Sequence, residues 1–285
     1  MQELANGTEL ANRYTLIRKL GGGGAAATWL ASDRMTRAEV ALKVLVAGEL
    51  SAADLRKEWQ TGIRLMHPHI VRVFEFHDAA ERPFFSLQYI DGPDIGALAG
   101  SPPAHSLPVI ALVADALRYA HGKGVVHRDV KAGNILLDGN GAPYLIDFGS
   151  AAVGGGSLIA ASPQSLAGEP PSPADDIFAL GGLVYELVAG HSPYSSAATE
   201  RDIAERTPGP LTAADGSELP ERVQALVARM LDKDAARRPH AETVVEELGA
   251  AGFAGAPAPR DYVTRERGAA AEVIEVEAAR RRAAG

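Results

Sequence analysis

Residues 127–134 read HRDVKAGN, and the apolar run ILL follows at residues 135–137. An acid, a cation and an amide therefore lie close together, directly before a run that is typical of a short buried strand. A second acid, Asp147, follows another apolar run in the segment YLIDFG at residues 144–149. We predict a loop that carries chemistry, followed by a short strand, and a second acid at the end of a further strand.

The residue types in these two segments suit phosphoryl transfer to a hydroxyl group. That reaction needs a carboxylate that orients the hydroxyl and accepts its proton, a cation beside the migrating phosphoryl group, and oxygen ligands for Mg²⁺. Asp129 and Lys131 fit the first two roles and are the candidate catalytic residues. Asn134 and Asp147 fit the third and are the candidate metal ligands.

A glycine run and a single lysine lie upstream, in segments rich in strand-forming residues. RYTLIRKL at residues 13–20 leads into GGGGAAATWL at residues 21–30, which indicates a strand, a glycine loop and a second strand. Glycine allows backbone N–H groups to approach phosphate oxygens closely. Lys43 is the one charged residue of the apolar run VALKVLV at residues 40–46. A lysine in a buried strand needs an anion, because an unpaired buried charge is strongly unfavourable.

Glu58 is the expected protein partner of Lys43. Ser51, with Asp54 three residues later, forms a capping pattern that predicts the start of a helix. The apolar residues at three- and four-residue spacing predict the buried stripe of this helix: Leu55, Trp59, Ile63 and Met66. Glu58 lies beside that stripe and is close enough to reach inward.

The order and spacing of these segments resemble those of the bacterial eukaryotic-like (Hanks-type) Ser/Thr protein kinases over residues 14 to 250. The resemblance implies an α+β fold of two lobes, with a small β-rich N-lobe that carries one main helix and a larger helical C-lobe. The predicted organisation is an N-terminal extension at residues 1–13, the N-lobe at 14–90, the C-lobe at 91–250, and a linker with a C-terminal helix at 251–285.

The resemblance also implies ATP-dependent transfer of the γ-phosphoryl group to a protein serine or threonine. ATP and Mg²⁺ are the expected cofactors, with Mn²⁺ as an alternative metal. Carried over residue by residue, the nucleotide-binding positions are Leu20, Gly21, Gly22, Gly23, Gly24, Thr28, Ala41, Lys43, Glu58, Gln88, Ile90, Asn134, Leu136 and Asp147. Leu87 would be the gatekeeper, His127 is expected to pack and not to act as a base, and Asp176 is expected to hold the backbone of the catalytic loop.

The activation segment departs from the family. Gln164, which aligns with the acid of the family's APE motif, lies only 17 positions after Asp147 (164 − 147), and no threonine or tyrosine lies between them. Gln164 would offer Arg238 a neutral hydrogen bond in place of an ion pair. Only Ser150, Ser157 and Ser162 could carry a phosphate, which predicts that switching by loop phosphorylation is absent or rudimentary. Two alternatives stay open, a nucleotide-binding or scaffolding pseudokinase and a kinase of a small-molecule hydroxyl.

The composition limits the partners. A formal net charge of −8 argues against a nucleic-acid or membrane-surface binder and leaves small-molecule or protein partners open. The resemblance implies a protein substrate of unknown identity, and the oligomeric state stays open. The chain has no cysteine, which excludes disulfides and makes a reducing, cytoplasmic compartment the expectation. Its apolar runs are shorter than the roughly 18 residues that a membrane helix needs. The basic run at residues 280–282 would suit a juxtamembrane position if the natural protein continues past residue 285.

Overall fold

The computed structural model describes residues 4–22, 25–46, 50–78, 82–148, 161–194 and 198–263. It divides into two compact units, one formed by residues 1–89 with 147–151 and the other by residues 90–146 with 152–285. The chain thus leaves the first unit after Tyr89 and contributes to it again at Asp147. The predicted domain boundaries themselves stay predictions.

Within the described residues, the first unit contains an antiparallel sheet of six strands in the order β1-β2-β3-β4-β6-β5. The strands are β1 Glu9–Leu10, β2 Tyr14–Gly22, β3 Ala26–Asp33, β4 Glu39–Leu45, β5 Val73–His77 and β6 Phe84–Gln88. Strand β1 was not predicted, and it lies in the presumed N-terminal extension. It forms because Leu10 pairs with Tyr14 of β2, while Leu4 and Leu10 pack against the core that the sheet buries.

Helix α1, Ala52–Gly62, begins as predicted. Ser51 caps it, and the side chains of Ser51 and Asp54 form a reciprocal capping box. The predicted buried stripe is wrong beyond its first residue, since the buried positions are Leu55, Glu58 and Gly62. Ile63 is 38% exposed and Met66 66% exposed.

The helix turns this face inward because Gly62 lies against β5. A Cβ atom at Gly62 would lie 2.7 Å from Cγ2 of Val73, so the close approach requires a residue without a side chain. Trp59 lies at the flank of the face, where its indole N–H donates to the carbonyl of Phe74 at 3.0 Å. The helix ends at Gly62, which leaves Met66 outside the helical repeat.

The second unit is mainly helical. Its helices are α2 Pro103–Gly122, α3 Pro163–Leu166, α4 Pro173–Ala189, α5 Glu200–Glu205, α6 Glu221–Met230 and α7 Ala241–Ala250, and its hairpin strands are β7 Ile135–Leu137 and β8 Pro143–Leu145. Helix α2 packs against α4 and α7, and α4 also packs against α6. Ile110 and Leu117 of α2 are completely buried. This helix begins with Pro103 in its first turn, where proline is well tolerated.

The segment that follows α7 lies along the second unit. Ala258 and Val263 are 3% and 1% exposed, and the N–H of Ala256 donates to the carbonyl of Pro108 at 3.3 Å. Most of the predicted C-terminal helix, from residue 264 onward, lies outside the described residues. In the part of the chain that the structure describes, no helix combines the length and the apolar character that crossing a membrane requires.

Candidate active site

The backbone of the HRD segment is held by Asp176, which lies in the first turn of α4 and is 1% exposed. Its Oδ1 accepts a hydrogen bond from the N–H of Arg128 and its Oδ2 one from the N–H of His127, both at 2.8 Å. This confirms the predicted role of Asp176. The sequence reasoning missed His121, whose Nε2 lies 2.8 Å from the same Oδ2. His121 lies in the last turn of α2.

Arg128 adopts a strained backbone conformation. Its φ is +77°, in the left-handed region that non-glycine residues rarely occupy. Such a conformation costs about 1–3 kcal/mol and persists only where the surroundings impose it. The hydrogen bond between Arg128 N–H and the buried carboxylate of Asp176 offsets this cost, so the bend of the loop depends on α4.

His127 is completely buried, and both of its ring nitrogens have partners. The N–H of Asp129 can only donate, so Nδ1, 3.2 Å away, accepts. The proton is therefore on Nε2, which donates to the carbonyl of Ile146 at 2.7 Å. With both nitrogens engaged, the ring braces the loop, which confirms the predicted packing role of His127.

The carboxylate of Asp129 is held by one of its two oxygens. Oδ2 accepts from the side-chain amide of Asn134 and lies next to the ammonium of Lys131, with both distances 2.7 Å. The amide of Asn134 also donates to the carbonyl of Asp129 at 2.8 Å, so Asn134 folds back over the loop as expected. Oδ1 of Asp129 accepts no hydrogen bond from any described residue. This oxygen is therefore available to a substrate group.

Asn134 presents an amide oxygen in the same way. Its Nδ2 is used by Asp129, and among the described residues nothing donates to its Oδ1. Its own carbonyl accepts from the N–H of Ile146 at 3.0 Å, which ties the end of the loop to the end of β8. An amide oxygen held in this way is a suitable ligand for a hard cation such as Mg²⁺.

In the first unit, Lys43 of β4 is paired with Glu58 of α1. The ammonium nitrogen lies 2.6 Å from Oε1 of Glu58 and 3.0 Å from Oδ1 of Asp147. The pair with Glu58 is confirmed, and the contact with Asp147 was not predicted. Burial alone would lower the pKa of Lys43, but the charges of Asp147 and Glu58 outweigh it and hold that pKa above its usual range. Burial raises the pKa of Glu58 despite the nearby ammonium.

Asp147 is a second non-glycine residue with left-handed backbone, at φ +62°. Its side chain is 32% exposed, whereas the side chain of Glu58, the other partner of Lys43, is 8% exposed. The neighbouring Phe148 is buried and, together with the predicted gatekeeper Leu87, lines a small cavity beside Glu58. Gly149 lies outside the described residues, so the end of the DFG motif is not described.

The sheet brings several of the other predicted nucleotide-binding residues together. Thr28 is paired with Gly21 on one side and with Lys43 on the other. Cross-strand partners point to the same face of a sheet, so Thr28 and Lys43 share a face, and Ala41, two residues before Lys43, shares it too. Leu20, Gly22 and Gln88 lie in β2 and β6 of this unit, Ile90 and Leu136 lie in the second unit, and Gly23 and Gly24 lie outside the described residues.

Comparison with known proteins agrees with this geometry. The family described as protein kinase domain matches residues 14–248. This chain belongs to the protein kinase domain family. Its fold is the α+β, two-lobed protein kinase fold.

Several relatives of this kinase domain are bacterial proteins. It is 31% identical to the DNA damage-responsive serine/threonine-protein kinase RqkA of Deinococcus radiodurans, over 87% of this chain and 40% of RqkA. It is also 31% identical to serine/threonine-protein kinase PkaA of Streptomyces coelicolor, over 84% of this chain and 50% of PkaA. The crystal structure of the Mycobacterium tuberculosis PknI kinase domain matches with a TM-score of 0.67 and 26% identity, covering 88% of this chain and 100% of that one. The chain thus spans half or less of the length of these two curated relatives.

Gln164 and Arg238 form the contact that the sequence predicts. Oε1 of Gln164 accepts from Arg238 at 2.5 Å, and Nε2 of Gln164 donates to the carbonyl of Lys233 at 2.9 Å. The buried guanidinium also donates to the carbonyls of Asp232 and Ala174, at 2.8 and 3.0 Å. The expected hydrogen bond between Gln164 and Arg238 is confirmed, and the guanidinium also pairs with the carboxylate of Asp175 at 3.8 Å. Residues 149–160 of the activation segment lie outside the described residues.

Proposed function

We propose that this chain is an ATP-dependent protein serine/threonine kinase that transfers the γ-phosphoryl group to a protein hydroxyl, with Mg²⁺ or alternatively Mn²⁺ as the metal. The observation that carries the proposal is the arrangement around Asp129. One carboxylate oxygen is held by Asn134 and Lys131, and the other accepts no hydrogen bond from the described residues. A general base needs such a fixed carboxylate with an available lone pair.

On the acceptor side, Asp129 orients the substrate hydroxyl and takes up its proton through Oδ1. Lys131 supplies positive charge beside the migrating phosphoryl group, and its side chain is 36% exposed and hence accessible. His127 does not compete as a base, because its two ring nitrogens are already engaged by Ile146 and Asp129.

On the donor side, the residues present fit a metal–nucleotide complex. When bound, Mg-ATP supplies the phosphoryl group and neutralises part of the charge that develops during transfer. Lys43 would hold phosphate oxygens, since its neighbours keep it protonated and Glu58 fixes its direction. The carboxylate of Asp147 and the amide oxygen of Asn134 are each a ligand type that Mg²⁺ prefers, and each would serve as a metal ligand.

A protein acceptor is supported by the relatives, which are named serine/threonine-protein kinases. All six side chains to which this proposal assigns a role are present: Lys43, Glu58, Asp129, Lys131, Asn134 and Asp147. No observation favours the pseudokinase or the small-molecule kinase. The substrate protein is not specified by this proposal.

The test compares the full chain with its Asp129→Asn variant, using γ-labelled ATP, Mg²⁺ and a generic protein acceptor. We expect label on protein, and a loss of about 100-fold or more in the variant, because an amide cannot accept the proton. Equal labelling by the variant would remove Asp129 from its role. Thermal stabilisation by Mg-ATP without any label would favour one of the two alternatives, and neither label nor stabilisation would refute the nucleotide site.

A further inference from the structure

Residues 253–263, which we call the C-terminal strap, follow the end of the family match at residue 248 and pack on the second unit. The strap reaches the turn of the β7–β8 hairpin at two points. The N–H of Ala258 donates to the carbonyl of Gly141 at 2.9 Å, and the guanidinium of Arg260 donates to Oδ1 of Asn140 at 3.1 Å. The first is a backbone contact in which Ala258 is buried, so it does not depend on an exposed side chain.

The same strap is anchored along helix α2. The N–H of Ala256 donates to the carbonyl of Pro108, and the hydroxyl of Tyr262 lies 3.0 Å from Nδ1 of His105. The rings of Tyr262 and His105 also meet edge to face at 5.6 Å. The strap thus links the first two turns of α2 to the tip of the hairpin.

The hairpin turn is shaped for this contact. Gly141 has φ +82°, and a Cβ atom there would lie 2.1 Å from the carbonyl oxygen of Ala258. Within the turn, Oδ1 of Asp138 accepts from the N–H groups of Asn140 and Ala142, at 2.8 and 3.0 Å. The tip is therefore held by Asp138 from within and by the strap from outside.

The hairpin carries one end of the candidate catalytic loop. Strand β7 begins at Ile135, directly after Asn134, and the N–H of Ile146, just past β8, donates to the carbonyl of Asn134 at 3.0 Å. Each strand has three residues, and a hairpin of that size is marginal unless other elements hold it. The N–H of Leu137 reaches the carbonyl of Pro93 on the far edge of β7 and α2 packs against β8, while among the described residues the strap adds the contacts at Asn140 and Gly141 of the tip.

We propose that the C-terminal strap is a positioning element that restrains the β7–β8 hairpin and, through it, the backbone of Asn134. The restraint is a property of the second unit alone. Its kinetic consequence rests on the proposed function, because it assumes that Asn134 contributes a metal ligand.

The test uses Gly141→Ala in the full chain, with Gly216→Ala as the matched control. Gly216 has nearly the same backbone, at φ +77°, but a Cβ atom there meets nothing within 4 Å. By hydrogen–deuterium exchange, we expect the amides of residues 135–146 and of the strap to exchange about tenfold faster or more in Gly141→Ala, with α4 unchanged. The control is expected to alter these rates less than about twofold.

Two shortened chains, ending at Gly252 and at Val263, give an independent comparison and replace Gly141→Ala if it does not fold. The chain ending at Gly252 should show the faster hairpin exchange, and the chain ending at Val263 should match the full chain. Unchanged hairpin exchange without the strap would overturn the proposal. Failure of the shorter chain to fold would do so too, since the strap would then stabilise the fold as a whole.

The kinetic readout is the Mg²⁺ concentration that gives half-maximal turnover. We expect it to rise about threefold or more when the strap is released, since a misplaced ligand weakens metal binding, and not to rise in the control. Faster hairpin exchange in a chain with no kinase activity would retain the restraint and refute the proposed function. If the chain has kinase activity but hairpin exchange is unchanged when the strap is released, the restraint is refuted and the proposed function is retained.

Discussion

Lys43 and Glu58 form a buried ion pair, with 2.6 Å between the ammonium nitrogen and Oε1, although they come from a strand and a helix. The pair exists because α1 turns Glu58 toward the sheet, where burial would otherwise make each charge unfavourable. Asp147 shares the ammonium at 3.0 Å. The lysine therefore stays protonated, while burial raises the pKa of Glu58.

Lys43→Met should make stability depend on pH through Glu58. Burial raises the pKa of Glu58, and loss of the ammonium would raise it further. The folded state then holds a proton that the unfolded state releases, so the free energy of unfolding should fall as pH rises from about 4.5 through the raised pKa. Urea unfolding between pH 4 and 8 measures this, and turnover should fall about 100-fold or more.

The control for that experiment is the double variant Lys43→Met/Glu58→Gln, in which the titrating carboxyl is absent. Its stability should vary with pH no more than that of the native chain. A single and a double variant with the same pH profile would show that Glu58 does not carry the effect.

Asp176→Asn should disorganise the HRD segment. An asparagine has only one side-chain oxygen that can accept from the two N–H groups of His127 and Arg128. Its NH2 group would face the other N–H group, and two donors cannot form a hydrogen bond. Leaving a buried donor unsatisfied should cost about 2–3 kcal/mol and lower turnover strongly, as measured by urea unfolding and by kcat. The control variant Asp202→Asn removes an exposed capping carboxylate in the first turn of α5, and we expect it to lower neither the free energy of unfolding nor kcat to a comparable extent. Comparable losses in both variants would contradict the assignment.

Gln164→Glu should not strengthen the contact with Arg238 by much. The new carboxylate would be attracted by the positive charge of the guanidinium. It would also be repelled by the carbonyl oxygen of Lys233, to which the native amide donates. We expect the free energy of unfolding to change by less than about 1 kcal/mol, whereas Gln164→Ala should lower it by about 1–3 kcal/mol. Chemical denaturation of the two variants measures both. A large increase in the free energy of unfolding in Gln164→Glu would show that the absence of an acid at position 164 destabilises the native chain.

Serine phosphorylation in the activation segment should not control turnover. Ser162, one of the three serines considered, is 1% exposed, donates to Asp175 at 2.5 Å and caps α3. A phosphate there would be repelled by that carboxylate and would break the cap. Ser150 and Ser157 are the other two serines. If their phosphorylation does not control turnover, the variant Ser150→Ala/Ser157→Ala should retain kcat within about twofold. A phosphate found on Ser157 that raises turnover in the native chain would refute this expectation.

The local part of the site could be predicted from the sequence because it depends on short-range spacing. Asn134 lies five residues after Asp129, and a loop of that length lets its amide reach back to the carboxylate. The same holds for α1, where Ser51 and Asp54 define the start of the helix through a reciprocal cap. Lys43 required an anion because its strand is apolar, and Glu58 was the acid nearest the inward face of the next helix.

Only the tertiary structure decided which surfaces are buried and which distant groups meet. Gly62 lies against Val73, which turns the inward face of α1 away from Ile63. The hydrophobic periodicity of the sequence does not reveal such a contact. His121 reaches Asp176 across 55 residues of chain, and the strap reaches Asn140 across 120. The sequence thus determined the residue types and short loops that carry the chemistry, through local spacing. Their fixed orientation comes from long-range packing, because the strained backbone of Arg128 and the short β7–β8 hairpin are stable only when other elements hold them.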